Sequence, residues 1–306
     1  MTEALDPALA ALLADARLAL RRPPPGVTLD QYRNAANAFM ARAPLSPGCI
    51  STDQLITTPA GPLRLRLVRP TGAARLPALL FLHGGGFIMG SLDSHAAMAR
   101  SLAIATNAMV VAVDYRLAPE HPYPAALDDC VAAIDWLVDA GTAHGIDPSR
   151  IAIAGDSAGG QLAAATALRV RHDRSLRHLG LIYPLLDPHR ASASARALAE
   201  GYMLTGEFID WAWAAYGGEP NDPLVHLLDA PVGNLPPTTI VTAQLDPLRD
   251  EGEALADQLR AHGVDVAYRC FLGMIHGFAG LAHIVPDPAM EAIGWVGKRI
   301  GDSLSA

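Results

Sequence analysis

Two periodicities divide the chain. In residues 7–20, Leu9, Leu12, Leu13, Ala16 and Leu20 recur on one helical face, and Asp6-Pro7 provides a cap followed by proline at the first helical position. Pro23-Pro24-Pro25-Gly26 ends that helix. The spacing predicts a second over 29–41, carrying Tyr32, Ala36, Phe39 and Met40, before Pro44, Pro47 and Gly48 interrupt again. From residue 52 the period becomes two. Leu63, Leu65 and Leu67 alternate with Arg64 and Arg66, the pattern of a half-exposed antiparallel strand. Later strands, predicted over 78–82, 109–113, 151–154, 179–183, 239–243 and 266–271, are continuously apolar, with helical stretches between most of them. Strands of that kind are covered on both faces, so the pattern predicts an α/β fold with a mostly parallel central sheet flanked by helices.

The rhythm breaks once. The stretch 184–238 is longer than a simple crossover needs. Inside it, residues 203–213 form an aromatic helical pattern, with Thr205 as cap and Phe208 and Trp211 on the apolar face. The expected organisation is therefore an N-terminal helical part, 1–50, and a core, 51–306, with 187–225 inserted to join the N-terminal helices in a cap. An ordinary covering helix with a core aromatic stripe is the alternative for the insertion.

Composition narrows the function classes. The chain has 306 residues, half of them hydrophobic, and a net charge of −8, which argues against a nucleic-acid surface and gives no pull toward anionic membranes. The N-terminus carries Glu3, Asp6 and Asp15, unlike a signal peptide, and no run approaches the roughly 18 apolar residues of a membrane span. Cys49, Cys130 and Cys270 are far apart, an odd count without a pairing pattern, which suits a reducing compartment. A soluble cytoplasmic protein is the expectation.

The chemistry gathers around Gly155-Asp156-Ser157-Ala158-Gly159-Gly160, which follows the apolar run 151–154 and opens an Ala- and Leu-rich helix. Strand, sharp turn, helix with serine at the apex is the arrangement of a nucleophile elbow. The string lacks the Lys-Ser/Thr ending of a phosphate loop and the spacing of a dinucleotide turn. An elbow serine needs oxyanion donors, a base and an orienting acid. His83-Gly84-Gly85-Gly86 follows an early strand and leaves backbone N–H groups of Gly84, Gly85 and Gly86 uncovered; Ala158, next to the serine, adds another. Among the eleven histidines, His276 stands after the last strand between turn-forming glycines, while most others lie in polar surroundings that suit solvation. Asp246 ends the preceding strand and fits the order Ser, Asp, His. It could instead cap a helix, with Asp250 and Glu251 as fallback acids.

These strings, together with the run from Tyr115 to Ala125 (YRLAPEHPYPA) and Asp246-Pro247-Leu248-Arg249-Asp250-Glu251-Gly252, resemble the hormone-sensitive-lipase-like family of α/β-hydrolase carboxylesterases from about residue 77 to 280. The resemblance implies Ser157 as nucleophile, His276 as base and Asp246 as its partner. It implies an oxyanion hole from the glycine loop and Ala158, a helical cap over the site, and a structural brace from the Tyr115 string. It implies hydrolysis of short- to medium-chain carboxylic esters through an acyl-enzyme, without metal or cofactor. Tyr32, Phe39, Phe87, Met203, Leu204, Phe208 and Ile275 are the expected pocket residues. The partner is a small-molecule ester, with a homodimer left open. An amidase, deacetylase or lactone hydrolase would use the same three side chains. A non-catalytic ligand receptor would be expected to lack the base.

Overall fold

A computed structural model describes residues 4–72 and 75–306. Residues 1–3 of the expected N-terminal part and 73–74 of the expected core lie outside them. Eight strands form one sheet. They are β1 (Cys49–Thr58), β2 (Gly61–Pro70), β3 (Leu76–Leu82), β4 (Met109–Val113), β5 (Ile146–Asp156), β6 (Leu176–Ile182), β7 (Thr238–Leu245) and β8 (Val266–Ile275), in the spatial order β1-β2-β4-β3-β5-β6-β7-β8. The first two run antiparallel to their neighbours, and every pairing from β4 onward is parallel. Among the described residues no helix is long and apolar enough to cross a membrane.

Alternation within the apolar strands builds two cores. Leu80, Val111, Ile153, Leu181 and Ile240 face one side, where α4 (Ala125–Asp139), α5 (Ala158–Val170) and α8 (Arg249–Ala261) cover them. Leu79, Val110, Ala152, Ile182 and Val241 face the other, under α3 (Ala96–Thr106) and α9 (Pro286–Ser305). A parallel strand buried on both faces has no polar side to show, which is why these segments read as unbroken apolar runs.

The N-terminal helices differ from the expectation. The first, α1, spans only Pro7–Leu13, because the Asp15 side chain accepts from Arg17 N and starts a separate 3-10 turn, Ala16–Leu18. Leu20 leaves the helix and pairs its backbone with Leu204 in the insertion. The second helix, α2 (Leu29–Met40), opens with a full capping box between Thr28 and Gln31. It is bolted to the core. Arg33 donates from Nε to Ile88 O at 2.6 Å and from Nη2 to Ala118 O at 2.8 Å, and it pairs with Glu120. Asn37 Oδ1 accepts from Gly90 N at 3.0 Å. The insertion contains α6 (Ala193–Ala197) and α7 (Gly206–Tyr216), the latter capped by Thr205, whose side chain accepts from Phe208 N.

The strand-to-helix turn at β5–α5 leaves no space for side chains at its glycines. A Cβ on Gly159 would lie 2.0 Å from Leu82 O, a backbone atom of β3 that cannot move aside. Gly159→Ala is therefore expected to destabilise the fold by about 3 kcal/mol or more, the class of loss caused by overpacking against rigid backbone. Chemical denaturation followed by circular dichroism checks this; a loss below about 1 kcal/mol would contradict the close approach.

Candidate active site

Ser157 sits between β5 and α5 with φ 54° and ψ −121°, a backbone conformation that ordinary side chains rarely tolerate. Its main chain is pinned on both sides. Ser157 N donates to Ile182 O at 2.9 Å, and Ser157 O accepts from Gly160 N at 2.9 Å and Leu185 N at 3.2 Å. Although Ser157 occupies the helix cap position, its side chain caps nothing. The hydroxyl is thereby left for His276, whose Nε2 lies 2.9 Å from Ser157 Oγ.

His276 follows β8, and Asp246 follows β7. His276 Nδ1 stands 2.8 Å from Asp246 Oδ2, with the imidazole 5 % exposed and the aspartate fully buried. The other carboxylate oxygen accepts from Leu248 N at 2.8 Å, so the backbone fixes the orientation of the acid. Leu248, not Asp246, occupies the N-cap position of α8, with no side-chain cap. The fallback acids are engaged elsewhere: Asp250 with Ser194 and Arg249, Glu251 with the N–H groups of Leu186 and Asp187. With the Nδ1 proton directed at Asp246, Nε2 is free to accept the serine proton. Hydroxyl, imidazole and buried carboxylate in series can deliver an alkoxide-like nucleophile at neutral pH.

The glycine loop after β3 faces this serine from the neighbouring strand. Gly84 does not join the expected donors, because its N–H donates to Asp156 Oδ1 at 2.9 Å. Among the described residues the N–H groups of Gly85 and Gly86 have no protein acceptor. Ala158, as first residue of α5, has an N–H without an intrahelical partner. Gly86 has φ +61°, and a Cβ there would meet the Phe208 ring at 2.8 Å, so the amide stays bare beneath an aromatic roof. These amides can hold an oxyanion.

A buried polar stack supports the loop. Tyr115 donates to His83 O at 2.6 Å, and its ring stacks on the His83 imidazole with centroids 4.3 Å apart. His83 stacks in turn on His95, whose Nε2 lies 3.6 Å from Asp156 Oδ2. Burial, with His95 adding to it, pushes the His83 imidazole down to about 3, so it stays neutral. Burial works against the Asp156 charge, yet His95, His83 and the Gly84 N–H together hold that carboxyl below its usual range. His95, His178 and His226 depart from the expected solvated setting: all three are buried. The Tyr115 string expected to act as a brace supplies one end of this stack; the part played by His95 had no sign in the sequence.

A cavity of about 80 Å³ lies above Ser157 and His276. Of the expected pocket residues, Met203, Leu204 and Phe208 line it; Leu20, Met40 and Met89 do so without having been expected. Four expected residues are corrected. Phe87 turns inward at φ 63° and stacks on Tyr216 with centroids 3.9 Å apart. Ile275 is fully buried in the core below. Tyr32 packs against Trp211, and Phe39 against His283, and neither lines the cavity. Among the described residues no cluster of His, Cys, Asp and Glu could hold a metal ion.

Residues 79–280 match the family model described as alpha/beta hydrolase fold. The chain is 38 % identical over 257 residues to Esterase LipI of Mycobacterium tuberculosis, covering 81 % of this chain and 80 % of that protein. It is 37 % identical to an ethyl acetate hydrolase of Pseudomonas putida, over 82 % of each chain. The solved structure of a hyperthermophilic esterase from the archaeon Pyrobaculum calidifontis superposes with a TM-score of 0.90 at 35 % identity, covering 99 % of this chain and all of the other.

Burial holds the Glu251 carboxyl well above its ordinary value near 4.5, with Asp187 and Asp246 adding to the effect of desolvation against the two backbone donors. Above that ordinary value the folded state keeps a proton that the unfolded chain releases, so stability falls as pH rises. Glu251→Gln keeps an acceptor for Leu186 and Asp187 but removes this slope. The variant's melting temperature is expected to gain on the wild type as pH rises above about 5; a difference that does not change with pH would contradict it.

Proposed function

The chain belongs to the hormone-sensitive-lipase-like family of the α/β-hydrolase fold, and from that premise we propose a serine carboxylesterase that works through Ser157, His276 and Asp246. The observation that carries the reading is the unbroken relay of 2.9 Å and 2.8 Å contacts from Ser157 Oγ through the imidazole to a buried carboxylate.

Ser157 Oγ attacks the ester carbonyl carbon as His276 Nε2 takes its proton. The imidazolium is stabilised by Asp246, and the tetrahedral oxyanion by the N–H groups of Gly85, Gly86 and Ala158. The carbon–oxygen bond to the alcohol then breaks, and His276 returns the proton to the leaving alkoxide. A water, deprotonated by the same imidazole, attacks the acyl-serine; the carboxylic acid leaves and Ser157 recovers its hydrogen. No step calls for a cofactor. The apolar cavity of about 80 Å³ favours small, relatively apolar esters of short to medium chain. A non-catalytic receptor on this fold would have no use for a base held at hydrogen-bond distance from the serine.

Ser157→Ala is expected to lower kcat for p-nitrophenyl butyrate by about 10⁴ or more, and Asp246→Asn by about 10⁴ through the wrong imidazole tautomer. A fluorophosphonate should label the wild type once and leave Ser157→Ala unlabelled. Hydrolysis largely retained in Ser157→Ala would sink the reading.

A further inference from the structure

A second cavity, of about 250 Å³, lies beside the first, beneath the C-terminal end of α2 and against α3 and the start of α9. Met40 and His95 line both. Most of the rest of its wall is apolar, with Ala97, Met98, Met290 and Ile293 among its side chains. The serines on its wall offer little to a polar ligand. Ser46 Oγ and Ser101 Oγ are 2.9 Å apart, and Ser94 Oγ is engaged by Ser91 and His95. Neither cavity alone reaches the ~300 Å³ of an ordinary small-molecule site, but the two joined would.

The two halves of the dividing wall differ. His95 is fixed, with Nδ1 2.9 Å from Ser94 Oγ and Nε2 facing Asp156. Met40 is held only by packing. Its terminal methyl rests in the space a side chain would fill at Gly280, where a Cβ would lie 2.5 Å from it. A methionine has three rotatable bonds and adapts its shape at little cost.

We propose that the second cavity receives the distal end of a linear alkyl arm of the ester held at Ser157, and that Met40 is the gate between the two cavities. This rests on the esterase reading and adds a chain-length filter to it. Each methylene buried is worth roughly fourfold in an equilibrium constant, so excluding two or three changes discrimination by an order of magnitude.

The test uses two substrate series: p-nitrophenyl esters from acetate to decanoate, which lengthen the acyl arm, and alkyl acetates from ethyl to octyl, which lengthen the alcohol arm. The readout is the ratio of kcat/KM for the longest member to that for the shortest, taken within each variant so that loss of folded enzyme cancels. Met40→Ala is expected to raise this ratio by on the order of tenfold, and Ala97→Phe, which fills the second cavity, to lower it by on the order of tenfold. The series in which both shifts occur identifies the arm. Ratios within twofold of the wild type in both series, or a shift in only one of the two variants, would overturn the proposal. A wild-type enzyme that hydrolyses neither ethyl acetate nor p-nitrophenyl acetate would overturn the esterase reading itself.

Discussion

Between the carbonyl of Leu82 and the α-carbon of Gly159 there is no room for a methyl group, and the site is built on that contact. Because α5 can approach β3 and β5 this closely, the turn between strand and helix is sharp and Ser157 adopts its positive φ. The same turn places Asp156, the last residue of β5, beneath the loop that follows β3, where it takes the Gly84 N–H. Serine and glycine loop are thus two ends of one hydrogen-bonded unit. The backbone conformation also favours the proposed nucleophile by shape: φ near +54° strains any side chain, and a β-branched threonine more than serine.

Beneath that unit the polar groups are arranged so that the buried Asp156 keeps its charge. His83 is neutral because it is buried and shares its space with His95. Tyr115, from the string expected to act as a brace, ties the glycine loop to β4 through His83 O. A loop of consecutive glycines would otherwise be free to sample many conformations, and preorganised donors are worth most when they need not rearrange during reaction. The hydrogen bonds of Asp156 and Tyr115 remove that freedom without covering the amides of Gly85 and Gly86.

The fold class was legible because burial on both faces of a parallel strand leaves a continuous apolar run, as in 151–154 and 239–243. The serine and the glycine loop were legible because each is a single turn whose residues are contiguous. Asp246 and His276 could be named because each follows a strand in the order the fold requires. What failed to show were relations between segments. Gly84 stands adjacent to the favoured donors Gly85 and Gly86, and no local pattern shows that Asp156 takes its N–H. Phe87 follows the glycines and looked like a pocket wall, but its positive φ turns the ring into the core onto Tyr216. Met40 was visible as one apolar residue of an amphipathic helix. Its place above the serine depends on how α2 docks, which no local pattern encodes.

The docking of α2 changes what the cap can do. Arg33 reaches through to two main-chain carbonyls, and Asn37 holds the amide of Gly90, so the helix is hydrogen-bonded to the segment that carries Gly85 and Gly86. Swinging α2 outward would pull on these hydrogen bonds and so on the segment whose amides are proposed to hold the oxyanion. A helix that belongs by sequence to the cover therefore behaves as a fixed jamb of the doorway. Tolerance for substrate girth has to come from rotating side chains or from the opposite post, where Leu20 meets Leu204, and branching close to the carbonyl meets an unyielding frame.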